Sequence, residues 1–241
     1  MAITIGPGIT VGAGVSITSP PASIVTTGLV LSLDAGNPAS YPGSGTTWTD
    51  TVSSIAFTLN NGPAYSSNNG GYLEFVPAGD QWAASVTSLS NLSTWTVEAW
   101  HYWTGVTSGS NPCLVTETYV GGDINYTLGY PSGSPNFQAG FWNGGWQTTP
   151  SGYTLPSDAW CQIVGTYDGS TIKLYVNDVL INQTAYTFTP TTSGAGIRLM
   201  NRWDSADYWG GRLSIVRIYD AALTAEQVTQ NYNADRSRFG L

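Results

Sequence analysis

Trp160-Cys-Gln-Ile-Val-Gly-Thr-Tyr-Asp-Gly-Ser-Thr-Ile-Lys-Leu-Tyr-Val-Asn-Asp-Val-Leu-Ile-Asn182 is the stretch whose reading decides the fold. Trp160 to Tyr167 is rich in β-branched and aromatic residues and reads as a strand. Asp168-Gly169-Ser170 turns the chain, and Thr171 to Val176 returns it. Asn177-Asp178 then supplies a two-residue hairpin turn, because both residue types tolerate the positive φ that such turns demand. In the returning strand Ile172, Leu174 and Val176 are expected to face a core, and Lys173, Tyr175 and Asn177 to face outward. Three antiparallel strands in a row, built from local signals alone, predict an all-β protein.

Working outward, the same pattern continues. Trp95-Thr-Val-Glu-Ala-Trp-His-Tyr-Trp103 alternates, with Trp95, Val97, Ala99 and His101 on one side and Thr96, Glu98, Trp100 and Tyr102 on the other. Large residues on both sides predict a central strand covered on both faces, or one bordering a binding face. Leu29 to Leu33 reads as a strand followed by a turn at Asp34-Ala-Gly-Asn-Pro38. Arg212 to Tyr219 reads as another, with Leu213 and Ile215 expected on one face and Ser214 on the other. Thr224-Ala-Glu-Gln227 is a capping box, flanked by Leu223 and Val228 at hydrophobic-staple spacing, and predicts a short helix over 224–234. With 29 Gly and 13 Pro in 241 residues, other long helices are hard to place.

Residues 1–22 differ from the rest. Ile3-Thr-Ile-Gly-Pro-Gly is followed by Ile9-Thr-Val-Gly-Ala-Gly and Val15-Ser-Ile-Thr, and the repeat ends at Ser19-Pro20-Pro21. Prolines there stop any strand. Such an arm cannot bury Ile3, Ile5, Ile9 and Val11 by itself. Either it is a loose tail, or it docks on a partner by adding a strand to an exposed sheet edge. The domain division is therefore an extended arm at 1–22 and a sandwich with its helix at 23–241. The arm lacks the basic start and uninterrupted apolar run of a signal peptide, and no stretch suggests a membrane span.

Only 9% of residues are charged, and the net charge is −8. The first basic residue is Lys173, so no basic face forms over most of the surface and nucleic-acid binding by counterion release is not expected. Cys113 and Cys161 read as two buried thiols rather than a disulfide.

The hairpin motif Trp160-x5-Thr166-Tyr-Asp-Gly-Ser-Thr-Ile-Lys-Leu-Tyr-Val-Asn177 resembles the central hairpin of laminin-G-like, concanavalin A-like jelly rolls. Gly211-Arg-Leu-Ser-Ile-Val-Arg-Ile-Tyr-Asp-Ala-Ala-Leu-Thr-Ala-Glu226 resembles the last strand and following turn of that family. The resemblance covers about residues 28–235 and implies a two-sheet antiparallel jelly-roll sandwich. The segment Leu31 to Asp50, the closing Gln230 to Gly240 and the Gly-rich arm are similar to laminin-G-like virion structural proteins of tailed phages. That narrower resemblance implies a virion location, with capsid, tail or fibre subunits and further copies of the chain as partners. Host-surface glycans are a further expected partner class, and a freestanding lectin or adhesin is the alternative reading. The fold is shared by lectins, glycosidases and structural proteins, so function rests on sites.

Glycoside hydrolysis needs two carboxylates about 5–9.5 Å apart. The glucanases of this fold class carry theirs as alternating acids on one strand, and no such run occurs; Glu74, Glu98 and Glu117 stand apart in sequence. His101, in mid-strand between Trp100 and Tyr102, reads as a hydrogen-bonded sheet residue rather than a catalytic base. A non-enzyme is expected. Many family members bind calcium through rim Asp residues, which makes Asp123, Asp204 and Asp207 the candidates, although no EF-hand spacing supports them. Sugar contacts are expected at Trp142, Asn143 and Trp146, where two indoles flank a Gly pair, and at Trp203 and Tyr208 in a second aromatic cluster. Indole faces stack on sugar rings while amides bond hydroxyls.

Overall fold

Trp95–Thr107 forms a thirteen-residue strand whose first seven residues are buried on both faces, and the rest of the chain is arranged around it. The computed structural model describes residues 22–89, 92–118, 123–130, 136–189, 196–202 and 207–241. The arm residues Ile3, Ile5, Ile9 and Val11, and also Trp203 and Asp204, lie outside the described residues. In chain order the strands are β1 Leu29–Asp34, β2 Thr47–Thr49, β3 Ala56–Asn60, β4 Ala64–Ser66, β5 Tyr72–Phe75, β6 Trp82–Ala84, β7 Trp95–Thr107 and β8 Cys113–Glu117. They continue as β9 Ile124–Gly129, β10 Gln138–Trp142, β11 Trp146–Thr148, β12 Trp160–Tyr167, β13 Thr171–Val176, β14 Val179–Ala185, β15 Ile197–Leu199 and β16 Trp209–Tyr219. A single α-helix among the described residues, α1, spans Ala225–Asp235.

Two antiparallel eight-stranded sheets result. The first runs β14-β13-β12-β7-β16-β5-β4, with β1 also paired to β16. The second runs β11-β10-β9-β8-β15-β6-β3-β2. This is the all-β protein that the alternating strands and frequent turns predict, in the two-sheet jelly-roll form that the family resemblance implies. The opening hairpins form as read: Asn177 and Asp178 hold φ of 47° and 61°, and Asn177 Oδ1 accepts from the Gln162 amide at 2.9 Å.

The core lies between the sheets, where Trp95, Tyr126, Leu128, Phe141, Tyr167, Ile172 and Leu174 are buried. Gly165 on β12 is needed there: a Cβ would stand 2.7 Å from Leu128 Cδ2 and 2.9 Å from Ala139 Cβ, so the sheets could not close. Both cysteines are buried thiols, in agreement with that reading.

The outer face of the first sheet is also covered, and this changes two expectations. Tyr175, expected to face solvent, is 3% exposed and packs with Val25, Val164, Tyr219, Leu223 and Val228 under α1. Alternation along β13 is intact, but the side it presents carries the helix. Leu213 and Ile215 were expected on one face, and a bulge between them separates them: Leu213 joins the inter-sheet core, and Ile215 packs with Trp100, Trp160 and Phe239. The bulged Ser214 donates its hydroxyl to Gly71 O at 2.6 Å and accepts from Arg238 at 2.8 Å.

Helix α1 starts as its capping box predicts, one residue later than expected. Thr224 Oγ1 accepts from the Gln227 amide at 3.3 Å, and Gln227 Oε1 from the Thr224 amide at 2.9 Å. Beneath it Glu98 accepts from Gln162 at 2.9 Å, Arg217 at 3.1 Å and Asn231 at 2.7 Å. Arg217 also meets Asp235 at 2.6 Å. The incoming chain is held by the same group: the Val25 amide donates to Asn231 Oδ1 at 2.8 Å, and Tyr219 Oη donates to Val25 O at 3.1 Å.

Candidate functional site

Two candidate surfaces remain once the core and the helix-covered face are set aside, and both lie on the outer face of the second sheet. The first follows from alternation along β10. Phe141 is buried and stacks on Phe188 with ring centroids 4.5 Å apart, so the next residue, Trp142, must point the other way. Across the hairpin Trp142 pairs in register with Trp146, and their rings meet edge to face at 5.3 Å. Gly144 holds a φ of 63° at the tip, where a glycine adopts the left-handed conformation at no steric cost. Asn143 is exposed, and Trp142, Trp146 and Gln147 are half-buried. The turn thus presents two indoles with the exposed Asn143 amide at its tip, while Gln147, paired with Phe141, lies on the other side of the strand. Three of the sequence-predicted site residues, Trp142, Asn143 and Trp146, are assembled in this way.

The hairpin has a firm base. Tyr167 Oη donates to Phe188 O at 3.1 Å and accepts from the Phe188 amide at 2.7 Å, which fixes the ring on which Phe141 stacks. Gln138 Nε2 donates to Thr148 Oγ1 at 2.8 Å and to Thr149 O at 2.7 Å, tying β10 to β11 and the residue after it.

The second surface is further along the same face. Register pairing carries one row of residues across all eight strands: Thr148, Gly140, Thr127, Thr116, Arg198, Ala84, Thr58 and Thr47. Arg198 on β15 lies over the Trp82 ring at 4.6 Å and donates to Asn201 Oδ1 at 2.7 Å. Tyr208 pairs with Asn201 and is half-buried. Its hydroxyl is pushed up from the usual phenol value, first by burial and then by Asp80. Strands β10 and β15 stand three places apart, about 14 Å at normal strand spacing. Tyr208 therefore belongs with Trp82 and Arg198 and does not join the Trp142 pair. Trp82 carried no signal in the sequence, since a Trp in a short strand has no local mark of exposure.

Between the two surfaces the polar row is engaged internally. Thr127 Oγ1 contacts Cys113 Sγ at 3.5 Å, and Thr116 Oγ1 donates to Glu117 O at 3.2 Å. The carboxylates are engaged too. Glu98 is fully buried among its three donors, Glu117 accepts from the Asn125 amide at 2.9 Å, and Glu74 meets Arg212 at 3.3 Å. Burial pushes Glu98 above the usual carboxylate range, with Arg217 pulling the other way.

His101 is buried, and burial lowers its pKa to about 3. The ring lies against the Gly210 backbone, and neither nitrogen completes a hydrogen bond of normal geometry among the described residues. His101 is therefore a buried residue of the sheet, paired with Cys161 and Leu213, whose ring bonding is limited to a loose contact with the Gly210 backbone.

Of the calcium candidates, Asp123 and Asp207 join no metal-holding group among the described residues, and Asp204 lies outside them. Asp207 accepts from the amides of Ser110 and Asn111 at 3.1 and 2.7 Å, which makes it the anchor of that loop. Among the described residues no group of three His, Cys, Asp or Glu side chains is placed to hold a metal ion.

Residues 77–229 match the sequence profile of the family described as the Concanavalin A-like lectin/glucanases superfamily. Among solved structures, domain 4 of a GH43 extracellular arabinanase from Geobacillus stearothermophilus, in complex with arabinotriose, superposes with a TM-score of 0.65 at 16% identity. That match covers 85% of this chain and 98% of the other. The receptor binding domain of botulinum neurotoxin type G gives 0.61 at 12% identity, over 86% of this chain and 51% of that one. Trypanosoma rangeli sialidase in complex with sialic acid gives 0.64 at 14% identity, over 94% of this chain and 36% of that one. No characterised protein sequence matches the chain.

Proposed function

The chain belongs to the Concanavalin A-like lectin/glucanases superfamily, and from that premise we propose a non-enzymatic virion structural protein of a tailed phage. It docks through residues 1–22 and displays a sandwich whose Trp142–Trp146 hairpin contacts glycans. The single observation behind the glycan part is that hairpin: two half-buried indoles 5.3 Å apart, with an exposed Asn143 between them. Indole faces stack on the apolar face of a sugar ring, and the amide serves its hydroxyls.

The display part is supported by where the arm begins. Val25 is clamped to Asn231 and Tyr219 on the outer face of the first sheet, whereas the indoles lie on the outer face of the second. An arm leaving on one side and a binding hairpin on the other suit a protein held at one face and presented at its opposite. The absence of turnover is part of the proposal, because Glu74, Glu98 and Glu117 all serve internal partners. Virion residence rests on the arm and on the phage-like ends.

Two measurements test it. Deleting residues 1–22 should abolish incorporation into particles, and normal incorporation would sink the docking role. Glycan-array binding should be saturable and lost in Trp142→Ala or Trp146→Ala. The freestanding-lectin reading, favoured by structural neighbours solved with arabinotriose and sialic acid, predicts the same array result with no effect of the arm on any assembly.

A further inference from the structure

Besides β1, which pairs only to β16 and whose outer side is engaged where Ser32 meets Asp50 and Thr51, the two sheets have four ends, and these are unequal. Three of them are three-residue strands: β4 Ala64–Ser66, β11 Trp146–Thr148 and β2 Thr47–Thr49. The fourth, β14, is the seven-residue Val-Leu-Ile-Asn-Gln-Thr-Ala185, paired only to β13 among the described residues. Folded proteins protect long edges with Lys, Pro or inward-pointing charges, because an open edge is a row of unpaired backbone donors and acceptors. β14 has none of these, and its one irregularity is a bulge in its pairing with β13 between Leu174 and Tyr175. The strand is without charge or proline, and Val179 and Leu180 are 59% and 45% exposed. Among the described residues its one side-chain tether, Asn182 Nδ2 to Pro150 O at 3.2 Å, leaves the backbone edge untouched.

The start of the described chain lies close to this edge. Val25 belongs to the buried cluster that includes Val164 of β12 and Tyr175 of β13, the strand paired to β14. Ahead of residue 22, where the described chain starts, are 21 residues, about 70 Å if extended, against a radius of gyration near 17 Å for a domain of this size. Those residues carry no charge and repeat the β-former, Thr, β-former unit at Ile3-Thr-Ile5 and Ile9-Thr-Val11. An uncharged repeat that cannot bury its own side chains complements an uncharged edge that lacks a partner.

We infer that the arm of one copy adds as a strand to β14 of a second copy. Main-chain hydrogen bonds supply the affinity, and the exposed Val179 and Leu180 receive the arm's apolar side chains. A contact between two different patches is heterologous, so it makes rings if the rotation closes and filaments if it does not. The inference shares with the proposed function only the premise that the arm docks.

The test uses the full chain. A chain carrying Thr4→Cys or Thr10→Cys is mixed with a second carrying Gln183→Cys on β14, under mild oxidation. The native Cys113 and Cys161 are buried, and burial raises the Cys161 thiol to about 12. The expected result is a disulfide heterodimer with Gln183→Cys and not with a Thr47→Cys control on β2. In parallel, light scattering should give a mass above one chain, falling to one chain in Ile5→Pro/Val11→Pro. A monomeric unmodified chain, or equal cross-linking to β2 and β14, would overturn the inference. Either result would leave docking on other virion proteins to be decided by the incorporation assay.

Discussion

Asn231 Nδ2 stands 2.7 Å from Glu98 Oε2, joining the C-terminal helix to the middle of the sheet across 133 residues of sequence. Its other bonds reach Tyr219 Oη and the Val25 amide, so one buried amide ties helix, central strands and incoming chain together. Asn231→Ala strands several buried groups at once and should cost about 3 kcal/mol. For a chain of this length that is a fall of about 6–12 °C in Tm by calorimetry. Asn231→Asp cannot donate and sets a second carboxylate against Glu98. It should cost at least as much at neutral pH and recover in part on acidification. A fall of under about 1 °C in either variant would show that the clamp is not a source of stability.

Local signals were sufficient where the chain folds on its neighbours. The hairpins of β12 to β14 follow from Asn177-Asp178 and strict alternation, and the helix start follows from Thr224 and Gln227. The Trp142–Trp146 pair was readable for the same reason, since both sides of a short turn lie in one stretch of sequence. What was not readable depends on distant covering. Tyr175 keeps its predicted direction and is buried because α1, fifty residues on, lies over it. Glu98 looked isolated because its partners Gln162, Arg217 and Asn231 come from three other elements. The bulge at Ser214 is set by Gly71 and Arg238, neither of which is its sequence neighbour. Tyr208 reads in the sequence as part of a second cluster, but its place beside Trp82 and Arg198 depends on strands β6 and β15 meeting across more than a hundred residues.

His101 gives the acid limb of stability its sign. Its folded pKa is lowered to about 3 by burial, against about 6.5 for a free imidazole. Between those values the unfolded chain binds the extra proton. Its contribution is therefore complete above about pH 6.5 and lost as pH falls toward 3, by up to about 1.4 kcal/mol per pH unit. Glu98, raised by burial, acts in the opposite sense and offsets part of this. His101→Leu removes the proton site and two buried nitrogens without normal hydrogen bonds. Urea unfolding between about pH 4 and 6 should show a flatter slope in the variant. Parallel curves would mean that His101 is already protonated in the fold.

Arg217 and Glu98 form a buried ion pair at 3.1 Å, with side chains 6% and 0% exposed. Removing one charge leaves the other without compensation in a dry site, so Arg217→Met should cost about 3–5 kcal/mol. Replacing both, as Glu98→Leu with Arg217→Met, should cost less than the two single changes summed, by at least about 1 kcal/mol. Denaturant titration of the four proteins measures this coupling. Strict additivity would show that Asp235, and not Glu98, is the partner that holds Arg217.

Phe141 and Trp142 are sequence neighbours on opposite faces of β10, and this allows stability and binding to be separated. Phe141 is fully buried against Phe188 and Tyr167, so Phe141→Ala should cost about 3–5 kcal/mol. Trp142 is half-buried on the open face and touches Trp146 by an edge contact. Trp142→Ala should cost only about 1 kcal/mol in stability. If the hairpin is the glycan contact, the same change should weaken binding about tenfold or more, the loss of roughly 1.4 kcal/mol that truncating an aromatic anchor brings. Tyr208→Ala, about 14 Å along the sheet, should leave that binding unchanged. Calorimetry of the variants beside glycan-array titration distinguishes the outcomes. Equal losses at Trp142 and Tyr208 would mean that one ligand spans both surfaces along the Thr127–Thr116 row. A loss at Tyr208 alone would move the site to Trp82 and Arg198.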